Sequence, residues 1–530
     1  MPTPIQSSAS TSSSTTTTRT RSRLSFLKGR PPFEPLARWE IFLLALLPLL
    51  IISFGAITLN RSAYMQRRMT DAGVYFRAAW ALTVNLDPYA VRDDNYWTYL
   101  YPPPLAIAAI PLADPPTGAP RDRYLPYPLS VVLWYTFGVA CLAAAAHWTA
   151  KALELTSADS RVRSLTFRQR RWWVDRTLPM LICIPAIGST ISRGQVNIIL
   201  LAGIAAMGLA IVVRTHQVTS DSKSSSLRGQ YRAGMWLALI ACVKIFPAYL
   251  GLYALATGRW RIVVGAILGT LLFMVALPSV VLGPTRMGEL NASFARFMLL
   301  PHLGIELNSD SPVDKLAFDK PAIDKPFVNK VDELQQATGN QSFIAIIHGS
   351  RNLEQVIAER VIRPTANEQL AHWIFSAVIT VTTLAAIIRA NRRRNKLVPN
   401  RDRSLGTRDD LLAIATLTAA MLPISPVCHN HYFALHMPLI AALLATRMDR
   451  QRHVDLDPKA WLLICVYVFA AILPRMPGLE NLRPLGVMMY SGLGLWALGV
   501  RSLWVGNSFL ISDQSAISHQ SAISRQSPTR

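Results

Sequence analysis

The chain has 530 residues, of which 51% are hydrophobic and only 16% charged, with a mean hydropathy of +0.27. An ordinary soluble protein carries about 25% charged residues, so this composition argues against a soluble chain. The net charge of +23 would suit a nucleic-acid binder, but the bases are gathered into particular loops between apolar runs. That segregation is the signature of cytoplasmic loops in a membrane protein, so we expect no nucleic-acid partner. The fold class expected is an all-α polytopic membrane protein of about 10–13 transmembrane helices with outer-side loops.

In chain order, residues 1–38 form a Ser/Thr-rich and then Arg-rich tail (TRTRSR), expected to be disordered and cytoplasmic. The first apolar run, Glu40 to Leu59, is long enough to cross about 30 Å of hydrocarbon. No A-x-A-like cleavage site follows it, which reads as an anchor and not a removed signal. Further apolar segments cover 129–150, 178–191, 196–213, 233–243, 245–257, 261–284, 369–390, 409–425, 431–447, 460–474 and 484–503. Several are too short to span alone. Those meeting around Ser192-Arg193-Gly194-Gln195 and around Lys244-Ile245-Phe246-Pro247 read as pairs of helices joined within or near the membrane. Irregular backbone at that depth is tolerated only where it lines a cavity or is covered by protein, so the breaks point toward a site. The membrane domain is expected over 39–505, followed by a low-complexity tail at 506–530 that repeats ISDQS, AISHQS and AISRQS.

The basic loops set the expected topology. With a cytoplasmic N-terminus, 151–177, 214–232, 258–261, 391–408 and 448–459 fall inside. Loops 60–128, 192–197, 285–368, 426–431 and 475–484 then fall outside. Every strongly basic loop lies on one side, which checks the count. The expected location is the cell (inner or plasma) membrane, multi-pass, with the active site on the outer, periplasmic side. Leu105–Leu112, too short to span, is expected in the interface. Loop 285–368 carries a D-K quasi-repeat, DKLAFDKPAIDKPFVNK. The five cysteines, Cys141, Cys183, Cys242, Cys428 and Cys465, lie in or beside apolar runs without a CxxC, and read as packing residues with no disulfide or metal framework.

Polar residues at membrane depth are costly and therefore mark candidate sites. Asp71 and Tyr75 stand one helical turn apart and share a face if that segment is helical. A carboxylate where the chain first leaves the membrane can serve as a general base; a solvated loop aspartate is the plainer alternative. Tyr101-Pro102-Pro103-Pro104 reads as a rigid extended segment that positions aromatic rings. Gly194-Gln195-Val196-Asn197 sets two amides beside a glycine at a helix break, where they can bind hydroxyls or simply cap the two helices. Lys244 sits in an otherwise apolar run, at a cost of roughly 2.5–3.5 kcal/mol unless an anion meets it. That anion could be a protein carboxylate, a lipid phosphate or a substrate phosphate. In Ser425-Pro426-Val427-Cys428-His429-Asn430-His431-Tyr432, the spacing of the two histidines would not put both on one helical face, and no third ligand is near in sequence. A phosphate- or substrate-contacting histidine is the preferred reading, and no metal is expected. Asn340-Gln341-Ser342 is uninformative alone. The adjacent pair Asp93-Asp94 is read as solvated.

Taken in order, these clusters resemble glycosyltransferase family 87. The matching elements are Asp71-x-x-x-Tyr75, Asp87-Pro88-Tyr89, Tyr101-Pro102-Pro103, Gly194-Gln195-x-Asn197, Lys244 through Pro247 followed by Gly258-Arg259-Trp260-Arg261, Asn340-Gln341-Ser342, and Ser425-Pro426 with His429 and His431. The resemblance implies a GT-C-like helical bundle and a polyprenyl-phosphate-dependent hexosyltransferase, similar to α-mannosyltransferases. It also implies a lipid-linked sugar donor, a lipid or glycan acceptor, surrounding membrane lipids and no cofactor. It places the base at Asp71. Lys244, His429, His431, Gln195 and Asn197 would serve donor phosphate and sugar, and Tyr75, Tyr101, Asn340 and Gln341 the acceptor or sugar. The chain departs from the family at Ile245, where proline is usual after the lysine, and at Val427-Cys428 before the histidines, which leaves open which histidine meets substrate. The rival reading is a transporter or flippase of lipid-linked saccharides, with Lys244 and the histidines as a relay. Such a protein would more often show repeat symmetry between its halves and short loops, and this sequence shows neither.

Overall fold

The computed structural model describes residues 34–65, 70–95, 97–157, 159–213, 223–300, 340–351, 364–397, 407–448, 458–479 and 482–506. Residues 1–33, the 507–530 tail and the D-K quasi-repeat lie outside the described residues. The described chain is helical throughout, with three isolated β-bridges and no strand. It is an all-α polytopic membrane protein. Four helices are long and apolar enough to cross a bilayer: Arg38–Tyr64, Tyr127–Leu155, Trp260–Leu282 and Ala366–Lys396. A fifth span is possible if the pair Arg170–Ile182 and Ile184–Arg193, bent by 70° at Cys183, counts as one. Most of the remaining apolar segments form shorter or interrupted helices, so the 10–13 spans expected from sequence are not each a full-length straight helix.

Arg38–Leu59 and its π-turn Asn60–Tyr64 show why the apolar count runs high. Phe42 and Ile52 are 63% and 68% exposed, as side chains that face lipid must be. Asn197–Val212 is apolar all round and is correspondingly the buried centre, with Leu200, Leu201 and Met207 fully covered. It packs between Tyr127–Leu155 and Lys223–Val243. Lys223–Val243 in turn lies hard against Trp260–Thr270. A Cβ at Gly234 would strike the carbonyl oxygen of Ile262, and one at Gly265 would strike the backbone of Tyr231. Small residues let two backbones approach this closely where lipid supplies no hydrophobic drive between helices.

The two expected breaks are present. Ile184–Arg193 ends on Gly194, which takes the left-handed conformation (φ +66°) that a residue with a Cβ adopts only at a cost, and Asn197–Val212 begins three residues later. Lys223–Val243 stops just before Lys244, and a 3₁₀ turn, Phe246–Leu250, carries Pro247 at its second position before the helix Gly251–Thr257.

Both long loops, 60–128 and 285–368, contribute ordered structure to a second core. Thr70–Thr83 and Pro103–Ala108 close this core of Tyr75, Phe76, Tyr99, Tyr127 and Phe294. Arg286 donates to the Asn85 and Leu86 carbonyls, at 3.1 and 2.8 Å, and Ser293 donates to Asp87 at 2.8 Å, tying the Pro284–Phe294 helix to the first loop. Two expectations are corrected here. The Tyr101–Pro104 run is extended only through Pro102, because Pro103 and Pro104 take the first helical positions, where proline's missing N–H costs nothing. Asp93 is not solvated, whereas Asp94 is exposed. Asp93 is buried and accepts from the Asn95 and Trp97 N–H groups, while Asp94 pairs with buried Arg77 at 2.7 Å.

Candidate functional site

The breaks, the first-loop helix and the 426–431 loop converge. Asp71 lies in the first turn of Thr70–Thr83 and is half-buried, while Tyr75, one turn on, is fully buried. The predicted shared face is therefore real. Tyr75 meets Tyr101 edge to face at 5.0 Å and Trp134 at 5.7 Å. Trp134 donates its indole N–H to the Gly194 carbonyl at 2.8 Å, pinning the glycine turn to Tyr127–Leu155. Gln195 then lies against the Tyr101 hydroxyl. Burial first, and then the charge of Asp71, push the Tyr101 phenol above its ordinary pKa, so it stays protonated as a hydrogen-bonding group.

Lys244 enters the same space from the second break. Its ammonium donates to the Tyr432 hydroxyl at 2.6 Å. It lies 4.0 Å from the Tyr432 ring centroid, 5.3 Å from that of Phe246 and 5.4 Å from that of Tyr101. Asp71 acts electrostatically on Lys244, Tyr75, Tyr101 and Tyr432, so its carboxylate lies within electrostatic range of all four. A cation framed by three aromatic faces and a hydroxyl keeps its charge available to an incoming anion.

The histidine segment departs from its sequence reading in an informative way. His429 is extended (φ −84°, ψ 162°) and caps the 3₁₀ turn Asn430–His436. The spacing rule for an α-helix therefore does not apply, and the two rings come within 5.5 Å of each other. In the tighter turn, residues three apart eclipse, which brings His429 and Tyr432 to one side at 6.3 Å. His431 packs on Tyr432 at 4.8 Å, and its carbonyl accepts from Thr190 at 2.8 Å and from Asn197 at 3.5 Å. Among the described residues no group of three His, Cys, Asp or Glu comes together to hold a metal.

Asn340 and Gln341 reach this loop from far away in sequence. Asn340 donates to the Pro426 carbonyl at 3.1 Å, and its own side-chain oxygen accepts from Cys428 N–H at 2.8 Å and Ser342 N–H at 3.0 Å. An isolated bridge pairs Asn340 with His429. Its amide is committed to shaping the histidine loop, which is a different task from meeting sugar directly. Gln341 donates its backbone N–H to the Cys428 carbonyl and its side-chain amide to the Arg483 carbonyl.

All ten residues singled out from the sequence thus share one neighbourhood. Five buried polar atoms in it, Tyr75 Oη, Gln195 Oε1, Asn197 Oδ1, His431 Nε2 and Gln341 Oε1, have no hydrogen-bond partner among the described residues. Buried polar atoms are almost always paired, and clustered exceptions need an explanation, of which a polar ligand is one. Sequence reasoning gave no role to Tyr432, Trp134 or Thr190. Tyr432 was detectable, since it follows the histidines directly. Trp134 and Thr190 carried no signal, being a tryptophan and a threonine in apolar helices.

Other matched motifs have structural work. Asp87 accepts the Tyr89 N–H at 2.9 Å, and the Tyr89 hydroxyl donates to the Tyr101 carbonyl at 2.9 Å. Gly258 ends its helix in the left-handed conformation, and Arg259 pairs with Asp410 at 2.9 Å at a different site.

No curated protein and no solved structure matches the chain. The family model described as glycosyltransferase family 87 matches residues 99–305, a stretch that includes Tyr101, Gln195, Asn197 and Lys244. That stretch, less than half of the chain, is similar to glycosyltransferase family 87.

Proposed function

We propose that the protein transfers a hexose, mannose being the sugar we favour, from a polyprenyl-phosphate donor to a lipid or glycan hydroxyl on the outer face of the membrane. The observation that carries this reading is the placement of one ammonium and one carboxylate in a common aromatic frame. Lys244 offers a positive charge bonded to a neutral hydroxyl, and Asp71 stands close enough to act on it through space. A lipid phosphate monoester leaving group needs a cation, and an acceptor hydroxyl needs a base.

The step balances with these groups. Asp71 takes the proton of the acceptor hydroxyl, and the acceptor oxygen forms its bond to the anomeric carbon. The bond from that carbon to the phosphate oxygen breaks, and the polyprenyl phosphate leaves with the electron pair. Inversion requires only one base opposite the leaving phosphate, so a second carboxylate of the kind glycosidases use is not needed. Lys244, with His429 or His431, stabilises the negative charge on the departing phosphate. The unpaired polar atoms of Gln195, Asn197 and Gln341 suit sugar or acceptor hydroxyls. Tyr75 and Tyr101 supply apolar ring faces. Asn340 holds the histidine loop in register.

The test is a donor panel with the purified full chain in lipid, offering polyprenyl-phosphate hexoses and nucleotide hexoses with membrane-lipid acceptors. Transfer from a polyprenyl-phosphate hexose is expected. Transfer from nucleotide sugars alone would overturn the reading.

A further inference from the structure

The Lys244–Tyr432 hydrogen bond has a direction fixed by chemistry. An ammonium has three donors and no acceptor, so at 2.6 Å the Tyr432 oxygen must be the acceptor. The phenolic hydrogen is therefore aimed elsewhere, and among the described residues no acceptor receives it. The ring is held firmly. It packs against His431 at 4.8 Å and Phe246 at 5.9 Å, and its backbone N–H donates to the His429 carbonyl at 2.8 Å. A fixed hydroxyl whose lone pair is taken by a cation, and whose proton is unspent, is a polarised donor directed at an anion that also faces the cation.

We propose that Tyr432 is a second ligand of the donor phosphate, donating its hydroxyl proton to a phosphate oxygen while Lys244 neutralises the same group. This rests on the reading above that the donor is a lipid phosphate. Tyr432 and Lys244 lie 188 positions apart, so the pair exists only in the folded protein. The pairing also assigns the roles of the loop. Asn340, Ser342 and Thr190 anchor the backbone that leads into Tyr432, and the His431 ring packs beside the phenol.

The experiment measures binding of a short-chain isoprenyl phosphate, and of the matching isoprenol with the same tail, to the full chain in nanodiscs. The readout is the preference for phosphate over alcohol. Wild type is expected to prefer the phosphate. Tyr432→Phe, which keeps the ring and its packing, is expected to lose on the order of tenfold to a hundredfold of that preference, the span of a hydrogen bond to a charged group, with isoprenol affinity unchanged. Lys244→Met is expected to lose at least as much. If wild type shows no preference for phosphate, the lipid-phosphate reading itself fails. If wild type shows the preference and Tyr432→Phe retains all of it, only the role of Tyr432 fails. A Tyr432→Phe variant that weakens phosphate and alcohol equally would also overturn the proposal, because it would mean that the hydroxyl merely supports the fold.

Discussion

Two of the places where the described chain holds a charge among apolar residues treat it in opposite ways. Asp410, at the start of the helix Arg408–Ile424, is surrounded by donors. It accepts from Arg259 at 2.9 Å, Arg394 at 3.0 Å, the Tyr253 hydroxyl at 2.9 Å, and the Thr407 N–H at 2.7 Å. Its carboxylate is fully engaged within the chain. Lys244 is also held among apolar residues, but its hydrogen bond goes to a hydroxyl and not to a carboxylate, and unpartnered polar atoms lie around it. In the first, the carboxylate is met by donors of the chain alone and ties three helices together. The second is an incomplete polar shell, which costs stability and is worth keeping only where something else is to be bound. Buried charge alone therefore does not locate a site; what distinguishes the two is whether the chain hydrogen-bonds an opposite charge to it.

Four substitutions sharpen or break that contrast. Asp71→Asn has the largest expected effect: loss of sugar transfer by on the order of 10²–10⁴, the usual worth of a general base, with an unchanged thermal midpoint. Asp410→Asn should destabilise the fold by about 3–5 kcal/mol, because it strands Arg259 and Arg394 beside a neutral group. Thermal unfolding in detergent reads this, and unchanged stability would show that the network is not a structural lock. Asn340→Ala should cost about 1–3 kcal/mol by leaving the Cys428 and Ser342 N–H groups unpaired, and should lower transfer by loosening the histidine loop. Retention of full activity and stability would remove Asn340 from the account. The smallest stability change is expected for Lys244→Met. It should leave the midpoint within about 1 kcal/mol of wild type or raise it, since a buried cation becomes apolar, while raising the apparent KM for donor. A loss of stability as large as that of Asp410→Asn would erase the distinction between the two regions.

The elements most legible in the sequence were those whose chemistry is local. Asp71 and Tyr75 share a face because four residues make about one helical turn, and Gly194 breaks a helix because it tolerates a positive φ. The breaks at Gly194 and Lys244 could be placed because apolar runs stopped short of a bilayer's thickness. What could not be read depends on partners far apart in the chain. The Arg259–Asp410 pair joins positions 151 apart, and Asn340 reaches across 88 residues to Cys428. Asp93 looked solvated because a carboxylate in a polar loop gives no local sign of burial, and nothing near Asp94 in sequence predicts its pairing with Arg77. The histidine geometry was misread for a local reason: the spacing argument assumed an α-helix, and the segment is extended and then 3₁₀.

The central claim is that the carboxylate beside Lys244 performs the transfer. It is tested most directly by single-turnover transfer from a polyprenyl-phosphate hexose, comparing wild type with Asp71→Asn in the same proteoliposomes at saturating donor. The account predicts transfer by wild type and a rate lower by at least about a hundredfold for the variant, with isoprenyl phosphate still bound. Equal rates from the two proteins would contradict it.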